Sequence, residues 1–403
     1  MASSLQGFTI RVLPALGEQL DLPLYDTSKI EYLGGFALPS GGGSIGGQAH
    51  EGFQGSPDQG GGGIAYNPAN NSLFLTGSTT NNDRVNTVLA EISIPAPSLS
   101  APYNTASLLQ SFTLACGLNR QAEVNDGQFG NGAPVTGMLV SNGRLIITVG
   151  GLYINDPTSS CMFVRPSLDL SDDTVWGPYR VTEVNQRIVG NGMGCELPPA
   201  WQSVFGGYQA IVGGGGNMSL MNNACYGPGF HFFNPDAVQG STSQTVPGVN
   251  ACYYTDIAGS GYPFTPGYES DVWNGMSTHR GTIVLPETRT FMAYGCGGSD
   301  AFYDTGGAIT GGWQGTYATG GTMNDRFYLY DARDLKQAFD GNQSPLNNIR
   351  PYATFDMDFC LRNTDVTWID ELAQVRTLGF DPVNRMAYVH ERGEGIHVLR
   401  FNT

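Results

Sequence analysis

The chain has 403 residues, a formal net charge of −16 and only 13% charged residues. An acidic chain with no basic stripe is not built to bind nucleic acid, and no apolar run approaches the roughly 18 residues that a membrane-spanning helix needs. Glycine, at 57 residues, is about double its average usage; it gathers in tracts at 41–47, 60–63 and 213–216, which predicts a neutral, loop-rich surface.

In chain order, residues 1–29 read as an N-terminal arm. Residues 1–12 lack the apolar core of a secretory leader. Leu13-Pro-Ala-Leu and Leu20-Asp-Leu-Pro-Leu are apolar enough to bury but too short to form a core, so the arm is expected to dock on a neighbour, another copy or another protein. Tyr32-Leu-Gly-Gly-Phe-Ala-Leu-Pro then reads as a strand with no partner nearby. Four sets of four short strands follow. They are expected at 63–68, 72–76, 88–94 and 111–115; at 135–140, 144–149, 161–165 and 179–184; at 201–205, 208–212, 229–233 and 251–256; and at 281–286, 290–294, 326–330 and 352–357. A fifth set, 375–382, 385–390 and 395–401, has three strands and lacks the fourth. The orphan strand at 32 supplies it. The expectation is therefore an all-β chain, a five-bladed β-propeller over residues 30–403, its last blade closed by pairing of 32–38 with 395–401.

The turns between first and second strands carry the clearest repeat. Asn67-Pro-Ala-Asn-Asn and Asp381-Pro-Val-Asn-Arg are nearly the same turn. Proline fixes φ, and asparagine tolerates the left-handed region that a tight hairpin uses. These hairpins resemble those of NHL-type propeller repeats. The stretches 32–39, 64–77 and 90–95 resemble propeller proteins encoded by tailed bacteriophages and environmental bacteria. That resemblance implies a virion component at the tail or capsid surface, with other virion proteins, or the chain itself through residues 1–29, as partners.

The connections expected on one face of the repeat are long, which marks a recognition surface. Tyr262, Tyr268, Trp273, Trp313 and Trp368 in these loops are the candidate binding aromatics, able to stack on glycans or to pack on a protein. Five-bladed propellers include glycoside hydrolases, which need one protonated and one ionised carboxyl group across the scissile bond. Glu196, Asp271 and Asp365 precede first strands of three sets and are the candidates for such a role. The family pattern also calls for an aspartate at the first strand of the first set, where this chain has Gly60-Gly-Gly-Gly-Ile-Ala.

Other chemical signals are sparse. Gly42-Gly-Ser-Ile-Gly lies in a glycine tract without the strand-turn-helix setting of a nucleophile. The five histidines show no metal spacing, with His231, His390 and His397 expected inside strands, and 123–127 and 169–173 match only fragments of calcium loops. The seven cysteines show no C-x-x-C pair and are expected as free thiols, with Cys195–Cys225 the pair to test for a bridge. No cofactor, metal or membrane contact is expected. The expectation is a non-enzymatic structural or adhesive protein of a virion, recognising its target through the long-loop face. The alternatives are a secreted protein that binds or hydrolyses glycans and an intracellular scaffold.

Overall fold

The computed structural model describes residues 18–45, 47–53, 62–79, 86–124, 135–150, 160–182, 192–214, 229–240, 244–254, 278–299, 302–304, 317–319, 322–345, 348–357, 375–391 and 395–403. Among the described residues the chain is all-β apart from short helical turns and the two helices Pro199–Val204 and Ala332–Phe339.

Neighbouring strands pair largely as their hairpins require. Ile64–Asn67, Ser72–Thr76, Val88–Ser93 and Leu108–Leu114 form a four-stranded antiparallel sheet in that order. Its central strands are buried on both faces, which is why Leu73-Phe-Leu and Val88-Leu-Ala read as apolar runs rather than alternating ones. A second four-stranded sheet joins the two ends of the chain. Ile30–Phe36 pairs antiparallel with Gly395–Phe401, from Ile30 opposite Phe401 to Phe36 opposite Ile396, and Met386–Glu391 and Val375–Asp381 follow. The orphan strand therefore does complete the three-stranded C-terminal set.

The five-bladed propeller is not what forms. Blades three and four, expected as separate sheets, are one sheet of eight strands curled into a half-barrel, beside several open sheets. The join is a parallel contact in which Met193 on Met193–Glu196 lies opposite Gly281 on Thr278–Val284. The second set gains a fifth strand in the same way, with Thr245–Val246 parallel to Trp176–Val181. Two smaller sheets, of three strands and of two, are separate in hydrogen bonding. Turn chemistry and apolar runs specify hairpins, but they carry no information about which parallel edge the next hairpin will meet.

A second correction concerns the third set. Residues 201–205 were expected as a strand, yet Pro199–Val204 is a helix and the first strand of the set is Met193–Glu196. Pro198 and Pro199 set the first turn, where proline's fixed φ is favourable. Trp201, Val204 and Phe205 then fall on one helical face, all buried, with the Trp201 ring edge-on to Phe291 at 5.3 Å.

The sheets pack face to face through glycine at the closest approaches. A β-carbon at Gly137 would sit 2.4 Å from the Met193 nitrogen, and one at Gly281 would sit 2.8 Å from the Leu378 β-carbon. Arginines tie sheets together at the edges. Arg165, almost fully buried, donates to the carbonyls of Leu114 at 3.0 Å, Leu170 at 3.2 Å and Asp172 at 2.6 Å. A buried guanidinium without such acceptors would be costly.

The described part of the arm lies on its own chain. Leu20 and Leu22 pack on the cluster around Trp201 and Phe291. Arg289 donates to the Leu22 carbonyl at 2.5 Å, and Arg333 pairs with Asp21 at 2.7 Å. Residues 1–17 lie outside the described residues. Cys116, Cys195 and Cys252 are unbridged thiols; Cys225 lies outside the described residues. Among the described residues, no helix is long and apolar enough to cross a membrane, and no three His, Cys, Asp or Glu side chains gather as metal ligands.

Candidate functional site

The first strands of all five sets wall a cavity of about 1140 Å3. Its apolar wall includes Ile64, Met138, Val140, Val284, Leu378 and Phe380. Its mouth is formed by the turns that follow these strands, which bring Pro68, Pro198, Pro199, Pro286 and Pro382 to the rim. Proline recurs there because each turn needs a fixed φ directly after a strand.

The turns are built alike. Asn67 accepts the Ala69 amide on its Oδ1, and Asp381 accepts those of Val383 and Asn384. Under the first turn lies Glu91, fully buried, which accepts from Asn67 at 2.7 Å, Asn70 at 3.1 Å, Gln110 at 2.5 Å and Ser72. Burial alone would raise its pKa; the donors Ser72, Gln110, Asn70 and Asn67 outweigh burial and hold it below the usual glutamate value. The anion thus fixes the turn from below. Tyr66 stacks on Tyr388 with centroids 6.1 Å apart and donates to Asn71 at 3.1 Å. Burial, then the Asp381 carboxylate, push its phenol up to about 12.

Four of these turns end in the left-handed region, at Asn71, Asn142, Glu287 and Arg385, with φ of 49°, 49°, 64° and 55°. Asparagine takes this conformation readily, whereas glutamate and arginine do so at a cost. The two costly residues meet across the mouth. Arg385 Nη2 lies 2.5 Å from Glu287 Oε2, joining turns 98 residues apart in sequence. The arginine is mostly shielded and the glutamate half exposed, at 13% and 51%, so solvent screens the pair and its worth lies in fixing geometry more than in stability. Backbone strain held by surrounding structure is characteristic of functional positions.

Two more polar side chains stand at the mouth. Gln209 donates from Nε2 to Asp236 at 3.2 Å, and its Oε1 has no hydrogen-bond donor among the described residues. Asp236 itself is matched by Arg144 at 2.7 Å. Glu196, at the end of Met193–Glu196, lines the cavity with an exposed side chain and has no ion pair among the described residues.

Of the residues singled out from the sequence, the structure places Glu196 in this cavity. Asp271 and Asp365, the other two candidate catalytic acids, lie outside the described residues, as do the candidate binding aromatics Tyr262, Tyr268, Trp273, Trp313 and Trp368. Glu287, Arg385 and Gln209 were missed. One signal was present: the twin turns differ at their last residue, Asn71 in one and Arg385 in the other, and arginine where the turn wants asparagine marks a residue kept for another purpose.

No family model matches the chain, and no curated protein matches it. Among solved structures it is similar to "Structure of Dos1 propeller", at 9% identity and a TM-score of 0.29, over 84% of this chain and 68% of that one. It is also similar to "Crystal Structure of Mitotic Checkpoint Complex", at 10% identity and a TM-score of 0.32, over 100% of both chains. Likenesses this weak assign no fold family. The expected kinship with virion-associated propeller proteins of tailed bacteriophages is overturned by the fold, one half-barrel sheet beside several open sheets, and the support it lent to virion, tail and carbohydrate-binding roles falls with it.

Proposed function

We propose that the protein is a non-enzymatic recognition module that holds a small ligand in the cavity between its first strands. The observation that carries this reading is the cavity's construction. Its walls are buried strand residues, its rim is proline, and its mouth is pinned by the Arg385–Glu287 pair between two strained turns. Small-molecule sites are commonly concave, mostly apolar, and furnished with a few placed polar groups. Binding without turnover is supported by the tying of Glu287 to Arg385, which commits that carboxylate to holding the two turns together. Acid–base hydrolysis of a glycoside needs two carboxyl groups in separate roles. The reading requires no choice between the virion and extracellular settings weighed from the sequence.

The test is a screen of small metabolites and glycans by ligand-observed NMR, with product analysis of each hit. The expected outcome is reversible binding, the ligand being recovered unchanged. Turnover that disappears in Glu196→Gln would overturn the non-enzymatic reading.

A further inference from the structure

The polar groups at the cavity mouth are unbalanced, and the imbalance specifies a ligand class. This inference rests on the proposal that the cavity is a binding site. Among the described residues, three acidic or basic side chains line it: Glu196, Glu287 and Arg385. Arg385 and Glu287 satisfy one another at 2.5 Å, so the charged side chain left without an ion partner among the described lining residues is Glu196. The described part of the mouth therefore offers one unpaired carboxylate over an apolar wall formed by residues such as Ile64, Met138 and Leu378.

We propose that the cavity selects a small-molecule amine, with a protonated nitrogen at Glu196 and an aliphatic or aromatic body against the wall. The Arg385–Glu287 pair sets specificity from the other side. It presents no unpaired cation to an anionic ligand, and the turn strain at both residues holds it in place. An ammonium meeting an ionised carboxylate in a partly apolar site forms a charge-assisted hydrogen bond, stronger than the bond a neutral hydroxyl would make there. The cavity's size suits a whole small molecule rather than one side chain of a partner.

The experiment measures binding of hexylamine, hexan-1-ol and hexanoate to the full chain and to Glu196→Gln by calorimetry. A lysine-containing peptide serves as a fourth probe, and the melting temperature of each protein is recorded. Hexylamine should bind about tenfold or more tighter than hexan-1-ol, and hexanoate weakest. Glu196→Gln should remove the amine's advantage and leave the alcohol unchanged; the residue is exposed, so the variant should fold. Equal binding of amine and alcohol, or an amine advantage surviving in Glu196→Gln, overturns the charge assignment while keeping the cavity as a site. Hexanoate binding best assigns the anchor to Arg385 instead. Peptide binding without hexylamine binding overturns the small-molecule class in favour of a protein partner. No binding by any probe overturns the amine proposal, and the cavity reading then rests on the wider screen alone.

Discussion

Two histidines make stability depend on pH. His231 is fully buried opposite Asn250, and burial, outweighing the Asn250 side chain, pulls its pKa down to about 3. His279 is buried too, its Nδ1 accepting the Gly229 amide at 3.2 Å and its Nε2 donating to the Gly281 carbonyl at 2.7 Å. Burial lowers its pKa to about 4. Both imidazoles are neutral in the folded chain and take up a proton on unfolding once the pH falls below about 6.5. The unfolded state then binds more protons, so stability falls with pH through the window from about 6.5 down towards 3. The melting temperature measured between pH 7 and 4 should decline, and His231→Leu should decline less. A flat profile for the parent chain would show that these histidines are not held neutral. None of this was legible in the sequence, where His231 was recognisably a strand residue but its neighbours were unknown.

At the scale of elements, the pairing of Ile30–Phe36 with Gly395–Phe401 depends on two glycines. Gly34 has φ 103°, and a β-carbon there would lie 2.2 Å from the Ser98 carbonyl oxygen. Gly395 has φ 124°, and its β-carbon would meet the Phe36 carbonyl oxygen at 2.2 Å. The pairing is further pinned by the Tyr32 hydroxyl, 3.0 Å from His397 Nδ1, while His397 Nε2 contacts the buried Glu391 carboxylate. Gly34→Ala should cost about 1–3 kcal/mol from the backbone conformation alone, and the clash adds to this. Unpairing would expose the edge of Gly395–Phe401, a template for association. Chemical denaturation and light scattering measure the two effects; a Gly34→Ala protein as stable and as monodisperse as the parent would contradict this account. This junction was readable because it rests on a counting argument, a set of three strands and one strand without partners. The helix Pro199–Val204 was not, because Trp201, Val204 and Phe205 are good strand formers by type and only Pro198-Pro199 pointed the other way.

For the whole molecule, hairpins were legible and sheets were not. Local turns such as those at Asn67 and Asp381 announce themselves through proline and asparagine. The edge that fuses two sets, Met193 beside Gly281, depends on contact between segments far apart in the chain. The cavity is hidden for the same reason. Its wall takes residues from five strands and two turns of its mouth are joined by an ion pair spanning 98 positions. Val140 is half-buried on that wall, and a tryptophan there should fill space that a ligand would occupy. The decisive measurement is the affinity of the strongest hit from the ligand screen for Val140→Trp against the parent chain, each shown folded by its melting transition. The account predicts about 100-fold weaker binding, close to the 2.7 kcal/mol equivalent of that ratio; unchanged affinity in a folded Val140→Trp protein would place recognition elsewhere on the molecule.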